Sequence, residues 1–371
     1  MRVDRLETEH FRLLASQTVE FHPQVNVICG RNAQGKTTLL EAVYLLTGAK
    51  SFRTRFDKEL IAFGEDNAFL KGEIFAADRA QRVELNLFRG RSRQLKTNGV
   101  KRSAAEMTDN LKAVLFCPDD LQLVRGAAAQ RRHSMDMAIS QLRPGYRQLL
   151  ADYGKLYEDK SRILKDGHEQ PDLYDALEEF SYGLCLCSAR IIRFRAGYLR
   201  RLNESAAPIH AEFSAGREAL SLAYSTVSTV TNPEASEKEI FEQVYGRWQQ
   251  LRRAEIDSGQ CLVGAHKDDM LISLNGIEAK SFASQGQTRT AALSLKLAER
   301  EIFLKETREP PLLLLDDVLS ELDGTRQEFV LNRIGGGQTM ITCCDESSVS
   351  RLQAGRTLRA EGGVITECTC T

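Results

Sequence analysis

The apolar positions of this chain change their period along its length, and each period predicts a different element. Val25 to Cys29 is a short, unbroken apolar run closed by Gly30, the pattern of a buried strand. From Thr38 to Leu46 the residues read as an apolar helix. Apolar-rich segments on either side of Phe11-Arg12 suit a pair of strands. Phe69 to Phe75 and Val83 to Phe88 have strand-like spacing, and Asn98-Gly99 is a hairpin turn signal. In the middle the period lengthens. Leu142, Tyr146, Leu149, Tyr153, Leu156 and Ile163 follow alternating spacings of four and three, with Lys160 at the remaining position, about three heptads of a helical seam. Asp166-Gly167-His168 and Pro171 break it, and a second long helix runs from Leu173 through Leu177, Leu184, Ile191 and Leu202. Two long helices with one break predict an antiparallel helical hairpin. A polar stretch at 225–240 reads as a loop before a further helix through Trp248. Leu312 to Leu315 returns to strand, buried on both faces as in a parallel sheet. The class is α/β with a helical insertion.

The strand at 25–29 gives way to Gly30-Arg31-Asn32-Ala33-Gln34-Gly35-Lys36-Thr37-Thr38, which fits G-x-x-x-x-G-K-[ST] in the order strand, loop, helix. That order makes it a nucleotide phosphate loop. Glycine lets the backbone turn its N–H groups toward phosphate oxygens, and the helix dipole adds to the field. Lys36 is expected on the β- and γ-phosphates and the Thr37 hydroxyl on Mg²⁺. The bland alternative is a glycine-rich turn before a core helix.

The leucine strand ends in Asp316-Asp317. Ligands of open α/β sheets bind at the carboxyl ends of strands, so these carboxylates are expected beside the phosphate loop, about 280 residues upstream. Asp316 would hold Mg²⁺, directly or through water, and Asp317 would orient and deprotonate the attacking water. Ser284-Gln285-Gly286-Gln287 leads into an Ala/Leu-rich helix from about Arg289 to Glu299. It reads as an anion site at a helix start, or as an ordinary cap. It has no phosphate loop of its own.

Charge narrows the partners. Lys and Arg number 50 against 51 Asp and Glu, a net charge of −1, so any nucleic-acid binding must come from local patches. Arg89 to Arg102 holds six basic residues and no acid, Arg91 and Arg93 among them. Ser181 to Asn203 holds five arginines and no acid, Arg193 and Arg200 among them. Each run reads either as a DNA contact or as a solvated face. Arg2, Asp4, Arg5 and Glu7 leave no apolar leader core, and no apolar run reaches 18 residues. The nine cysteines show no C-x-x-C spacing, which predicts a reduced, cytoplasmic setting with no zinc site.

Together G-R-N-A-Q-G-K-T-T (30–38), F-C-P-D-D-L (116–121), Q-R-R (130–132), G-A-H-K-D-D (264–269), S-Q-G-Q (284–287) and L-L-L-D-D-V-L-S-E-L-D (313–323) give a resemblance over essentially the whole chain. The chain resembles the RecF family, ABC-type ATPases of bacterial recombinational DNA repair with SMC-like heads. The resemblance implies an ABC-type ATPase head carrying a short antiparallel coiled-coil lobe. It makes Ser284, Gly286 and Gln287 a signature that completes the partner subunit's ATP site across a head-to-tail dimer, and Ser320 to Asp323 a D-loop. It further implies slow, DNA-stimulated ATP hydrolysis with Mg²⁺, binding to double-stranded DNA near gaps, and work with RecO and RecR to help load RecA. The expected organisation is 1–120 and 256–371 for the ATPase lobe and 121–255 for the helical insert.

Three positions depart from the pattern. The signature has Gln285 where ABC signatures usually have glycine. The strand Met340 to Thr342 ends in Cys343-Cys344-Asp345, with no switch histidine. Ala265-His266-Lys267 stands where family members often have Pro-His-Arg, and Gln122 is the nearest candidate for a Q-loop glutamine. An ATPase subunit of another ABC system, such as a transporter, is the alternative reading. DNA-stimulated hydrolysis by the purified protein separates the two.

Overall fold

The computed structural model describes residues 1–54, 56–103, 106–109, 111–344 and 355–368. Asp345, singled out in the sequence, lies outside the described residues. The chain forms two compact units, one of residues 1–122 and 285–371, the other of residues 123–284. No described helix is long and apolar enough to cross a membrane.

The first unit contains two six-stranded sheets. In one, Gln17–Glu20, Arg2–Glu9, Asn67–Ala76, Arg79–Phe88, Gln94–Thr97 and Val100–Arg102 pair antiparallel in that order. The strand pair around Phe11 belongs to this sheet. Asn98 and Gly99, at φ +51° and +79°, form the turn that pairs Thr97 with Val100, as the dipeptide predicts. The other sheet runs Val364–Glu367, Arg356–Glu361, Val25–Cys29, Thr339–Cys343, Leu312–Asp316, Ala113–Phe116, parallel except for the outermost hairpin.

The helix Lys36–Leu45 lies between the sheets and is buried on every side, so its sequence is apolar all round rather than striped. Leu46, just past its end, presses on the antiparallel sheet at Gly72. A Cβ there would sit 2.3 Å from a Leu46 methyl group.

The second unit is helical with a small sheet of Ile277–Glu278, Asp269–Leu274 and Leu220–Ser225. Residues 256–284, which the sequence assigns to the ATPase lobe, pack here instead. The reason is pairing: Asp269–Leu274 forms its ladder with Leu220–Ser225, and Asp269 accepts two hydrogen bonds from Arg131 at 2.7 and 2.8 Å. The seam at Leu142 is interrupted, because Arg143-Pro144 ends the helix Ala128–Leu142 and Pro144 starts a new one running to Asp166. The second arm helix begins at Leu177, after a 3₁₀ stretch over Pro171–Ala176 that contains Leu173, and extends to Phe213. It packs against Pro144–Asp166 on one side and Glu237–Ser258 on another, so the predicted hairpin has a third member. Ser236 caps that third helix by accepting from the Glu239 N–H at 3.2 Å.

Lys160, at the polar place in the seam, is fully buried 2.7 Å from Glu255, which also accepts from the Trp248 indole at 3.0 Å. The charge therefore fixes where the third helix lies along the first.

His266 is held neutral. Its Nδ1 accepts from the Tyr153 hydroxyl at 2.7 Å, its Nε2–H donates to the Cys261 carbonyl at 3.1 Å, and burial pushes its pKa down to about 4. A histidine below its unfolded value of 6.5 stabilises the fold only while uncharged. That contribution is complete above about pH 6.5 and is lost as pH falls toward 4, about 3 kcal/mol in all. Urea midpoints measured between pH 7.5 and 5 should fall more steeply for the natural chain than for His266→Gln. Parallel slopes would show that His266 does not carry the dependence.

Candidate nucleotide site

The parallel sheet aligns the carboxyl ends of its central strands, and the register decides which side chains meet there. Cys29 stands opposite Cys343 and Asp316 opposite Thr342. Asp316 is buried and its Oδ1 accepts from the Thr342 hydroxyl at 2.9 Å and from the Thr37 hydroxyl at 2.9 Å. Burial raises its pKa, and these two hydroxyls oppose the rise. The phosphate-loop threonine and the first strand-end carboxylate thus lie in direct contact, although about 280 residues separate them.

Between them the loop takes the conformations its glycines permit. Gly30 and Gly35 have φ +156° and +109°. A Cβ on Gly30 would stand 2.4 Å from the Ala360 carbonyl oxygen, so a side chain there would displace backbone. Ala33 also has positive φ, +61°. Lys36 is buried, and its ammonium donates to the carbonyls of Gly30 at 2.6 Å and Arg31 at 3.1 Å. Arg31, Asn32 and Ala33 are exposed, while Thr38 is buried in the helix. Gln34 accepts from the Gly362 N–H at 2.6 Å, which ties the loop to the terminal hairpin. Gly30, Arg31, Gln34, Cys344, Arg359 and Glu361 line an open cleft of about 650 Å³ beside the loop.

Asp317 holds φ +53°, an uncommon conformation for a residue with a Cβ. Its N–H donates to the Thr342 hydroxyl at 2.8 Å, and Ser320 donates to its carbonyl at 2.7 Å and to its Oδ1 at 3.2 Å. Thr342 therefore orders both carboxylates, donating to one and accepting from the backbone of the other. The bare apolar pattern of its strand gives no hint of that role. Cys344 follows directly on the strand Thr339–Cys343. Its thiol donates to Asn32 Oδ1 at 2.9 Å, and Lys36 Nζ lies 3.5 Å from the sulfur.

A further network of four residues escapes sequence reasoning. Glu41 is completely buried one turn into the loop helix and accepts from Arg12 Nη2 (3.0 Å), Ser51 and Arg53 (3.4 Å). The Arg53 charge is close enough to favour the ionised form of Asp316. Glutamate in an apolar helix, followed by an arginine twelve residues on, is the only local trace of this network.

The helix after S-Q-G-Q starts at Gln285, earlier than its apolar pattern suggests, and runs to Thr307. Ser284 is exposed, with Gly286 and Gln287 half-buried. Arg326 donates to the Gly286 carbonyl at 3.2 Å, and Arg289 pairs with Glu321 at 3.2 Å. Asp323 caps the helix Gly324–Leu331 by accepting from the Arg326 N–H at 3.0 Å. The helix start is thereby fixed to the Ser320–Asp323 segment. Gln122 is exposed at the end of the Pro118–Gln122 turn.

The basic runs divide in space. Arg93 is bound bidentately to Asp57 at 2.8 and 2.9 Å and donates to the Ala49 carbonyl, whereas Arg91 is exposed over the Phe88 ring. Arg195 is buried between Asp136 and Asp268. Arg193 lies 3.7 Å from Glu237, and Arg200 pairs with Glu204 and Glu234 at 2.9 and 3.0 Å.

The model of the RecF/RecN/SMC N-terminal domain matches residues 2–364. The chain is 35% identical over 369 residues to the DNA replication and repair protein RecF of Acetivibrio thermocellus, covering 98% of this chain and 99% of that one. It is 38% identical over 337 residues to RecF of Staphylococcus epidermidis, covering 90% of each. A solved structure of the recombination mediator protein RecF-ATP in the RecFOR pathway superposes with a TM-score of 0.91 at 33% identity, over 99% of this chain and 97% of that one. The Smc head of Pyrococcus furiosus shares the fold at 15% identity and a TM-score of 0.56. Matched by the family model over residues 2–364 and by a relative at 35% identity over nearly its full length, the chain belongs to the RecF family of DNA replication and repair proteins.

Proposed function

We propose that this chain is an ATP-dependent DNA-binding repair protein. In this reading it binds double-stranded DNA near gaps as a dimer joined by ATP, and works with RecO and RecR to help load RecA in the bacterial cytoplasm. The contact of Thr37 with Asp316, beside Lys36, carries the reading. It supplies a hydroxyl, a buried carboxylate and an ammonium at one strand edge, which is the donor set a Mg-nucleotide requires.

Thr37 and Asp316 would hold Mg²⁺. Bound there, the ion supplies positive charge to the phosphates. Lys36 shifts its ammonium from the Gly30 and Arg31 carbonyls to phosphate oxygens. Asp317, held by Thr342 and Ser320, orients the attacking water and takes its proton. Ser284, Gly286 and Gln287 would close the site from the partner subunit. Hydrolysis is slow, stimulated by DNA, and releases the dimer.

The DNA-facing charge is assigned to Arg91, Arg93, Arg193 and Arg200. Among these Arg91 weighs most, because its guanidinium rests on an aromatic ring rather than on an acid.

The test is an ATP-dependent gel shift with duplex, single-stranded and gapped DNA, using the natural chain and Asp317→Asn. The variant keeps the shape and loses the base. It should form a persistent ATP-bound dimer on sedimentation and hold duplex DNA, with hydrolysis reduced about 100-fold or more. Near-normal hydrolysis in Asp317→Asn would place the base elsewhere. No ATP-dependent shift on any DNA would remove the DNA reading. Unchanged binding after charge reversal at Arg91 and Arg193 would move the DNA surface to another face.

A further inference from the structure

Cys29 and Cys343 end adjacent parallel strands at directly paired positions, and their sulfurs lie 3.1 Å apart. Both are buried, and Cys29 borders the cleft beside the phosphate loop. Adjacent strands place paired Cα atoms about 4.8 Å apart, inside the separation of about 4.4–6.8 Å that disulfides span. Joining the sulfurs requires their distance to shrink to about 2.05 Å, with the Cβ–S–S–Cβ dihedral turned to about 90°. The Cys29 thiol and the Lys36 charge both lower the Cys343 pKa, which favours the nucleophilic thiolate.

The residue after Cys29 is closely packed and tied to the phosphate loop. Gly30 packs against the Ala360 carbonyl oxygen, 2.4 Å from where its Cβ would be, and its own carbonyl accepts from Lys36 at 2.6 Å. A change in the end of this strand therefore passes directly to the phosphate-binding lysine. Neither cysteine has a part in the nucleotide chemistry described above.

We infer that Cys29 and Cys343 form a reversible thiol–disulfide switch, oxidised by a hydroperoxide, that weakens nucleotide binding at the phosphate loop. The switch rests on the phosphate-loop reading of this site. The Cys343 thiolate attacks the terminal oxygen of the hydroperoxide and breaks the O–O bond. This leaves a sulfenic acid on Cys343 and an alkoxide that takes a proton to become the alcohol. The Cys29 sulfur then attacks Cys343, the S–O bond breaks, and the hydroxyl leaves as water with the Cys29 proton. Two thiols and one hydroperoxide yield one disulfide, one alcohol and one water, a two-electron exchange. With hydrogen peroxide the alcohol is a second water.

The experiment uses the full chain, treated with hydrogen peroxide and then with dithiothreitol. Peptide mass spectrometry reads the linkage, and titration with a fluorescent ATP analogue reads affinity. A Cys29–Cys343 linked peptide should appear together with a roughly tenfold loss of affinity, and dithiothreitol should reverse both. Cys29→Ala and Cys343→Ala, each compared with its own reduced form, should lose the peroxide response. A reduced natural chain that fails to bind the analogue would refute the phosphate-loop reading itself. Normal binding when reduced, with no 29–343 linkage after peroxide, would overturn the switch alone. A linkage that leaves affinity unchanged would also overturn it, as would a response that persists in Cys29→Ala and disappears in Cys344→Ala.

Discussion

Lys36→Ala should reduce ATP affinity about 100-fold and eliminate ATP-dependent DNA binding with it. The ammonium is buried at the turn of the loop, and two backbone carbonyls hold it in place. No other cation in the loop is positioned this way, since Arg31 is exposed. Hydrogen bonds to charged groups contribute about 1.5–3 kcal/mol each, and about 1.4 kcal/mol is a factor of ten. Losing the phosphate contacts of one ammonium therefore accounts for about two decades. Lys36→Arg keeps the charge but not its compact geometry, and should recover only part of the affinity. Titration with a fluorescent ATP analogue measures the loss, and a thermal melt of the nucleotide-free protein separates it from misfolding. Normal affinity in a well-folded Lys36→Ala protein would mean that the loop does not bind the transferred phosphate.

What could be read from the sequence was whatever the chain places close together along its length. The phosphate loop needs nine consecutive residues, and its strand and helix flank it directly, so motif and context are local. Asp316-Asp317 could be paired with the loop because strand ends of an open sheet gather on one edge, a rule of topology rather than of distance along the chain. Thr342 could not be found that way. Its hydroxyl matters only because the register sets it opposite Asp316, and a threonine in a strand otherwise looks like β-propensity. The same holds for Glu41, whose partners Arg12 and Arg53 come from two different loops.

The arginine run from 181 to 203 shows what reading along the chain leaves out. No acid occurs within it, yet Asp136, Glu234, Glu237 and Asp268 supply counter-charges from other elements. Charge runs in sequence describe a neighbourhood only after the fold has filled it. The boundary of the helical lobe was hidden for a related reason. Strand pairing with Leu220–Ser225, set by register and not by composition, draws Asp269–Leu274 into the second unit.

Mixing Lys36→Ala with Ser284→Arg should restore ATPase activity that neither variant has alone. Two features motivate the test. The S-Q-G-Q segment begins the helix Gln285–Thr307 and is fixed to the Ser320–Asp323 region through Arg289 and Arg326, which gives it a defined, presentable shape. Ser284 is exposed, as a residue that completes a partner's site must be. If each ATP is held by Lys36 of one subunit and Ser284 of the other, every site in either homodimer is broken. In the heterodimer one site collects both lesions and the other has none, because a two-fold dimer uses the same two surfaces twice. Random pairing makes about half the dimers mixed, and each mixed dimer has one working site of two, so activity should return to roughly a quarter of the natural level. Sedimentation with ATP must show that mixed dimers form, since rescue needs one intact site to fire without the other. Mixed dimers that form and stay silent would rule out independent shared sites. Substantial activity in Ser284→Arg alone would go further, reducing Ser284 to the cap of an ordinary helix and leaving the ATP site within one subunit.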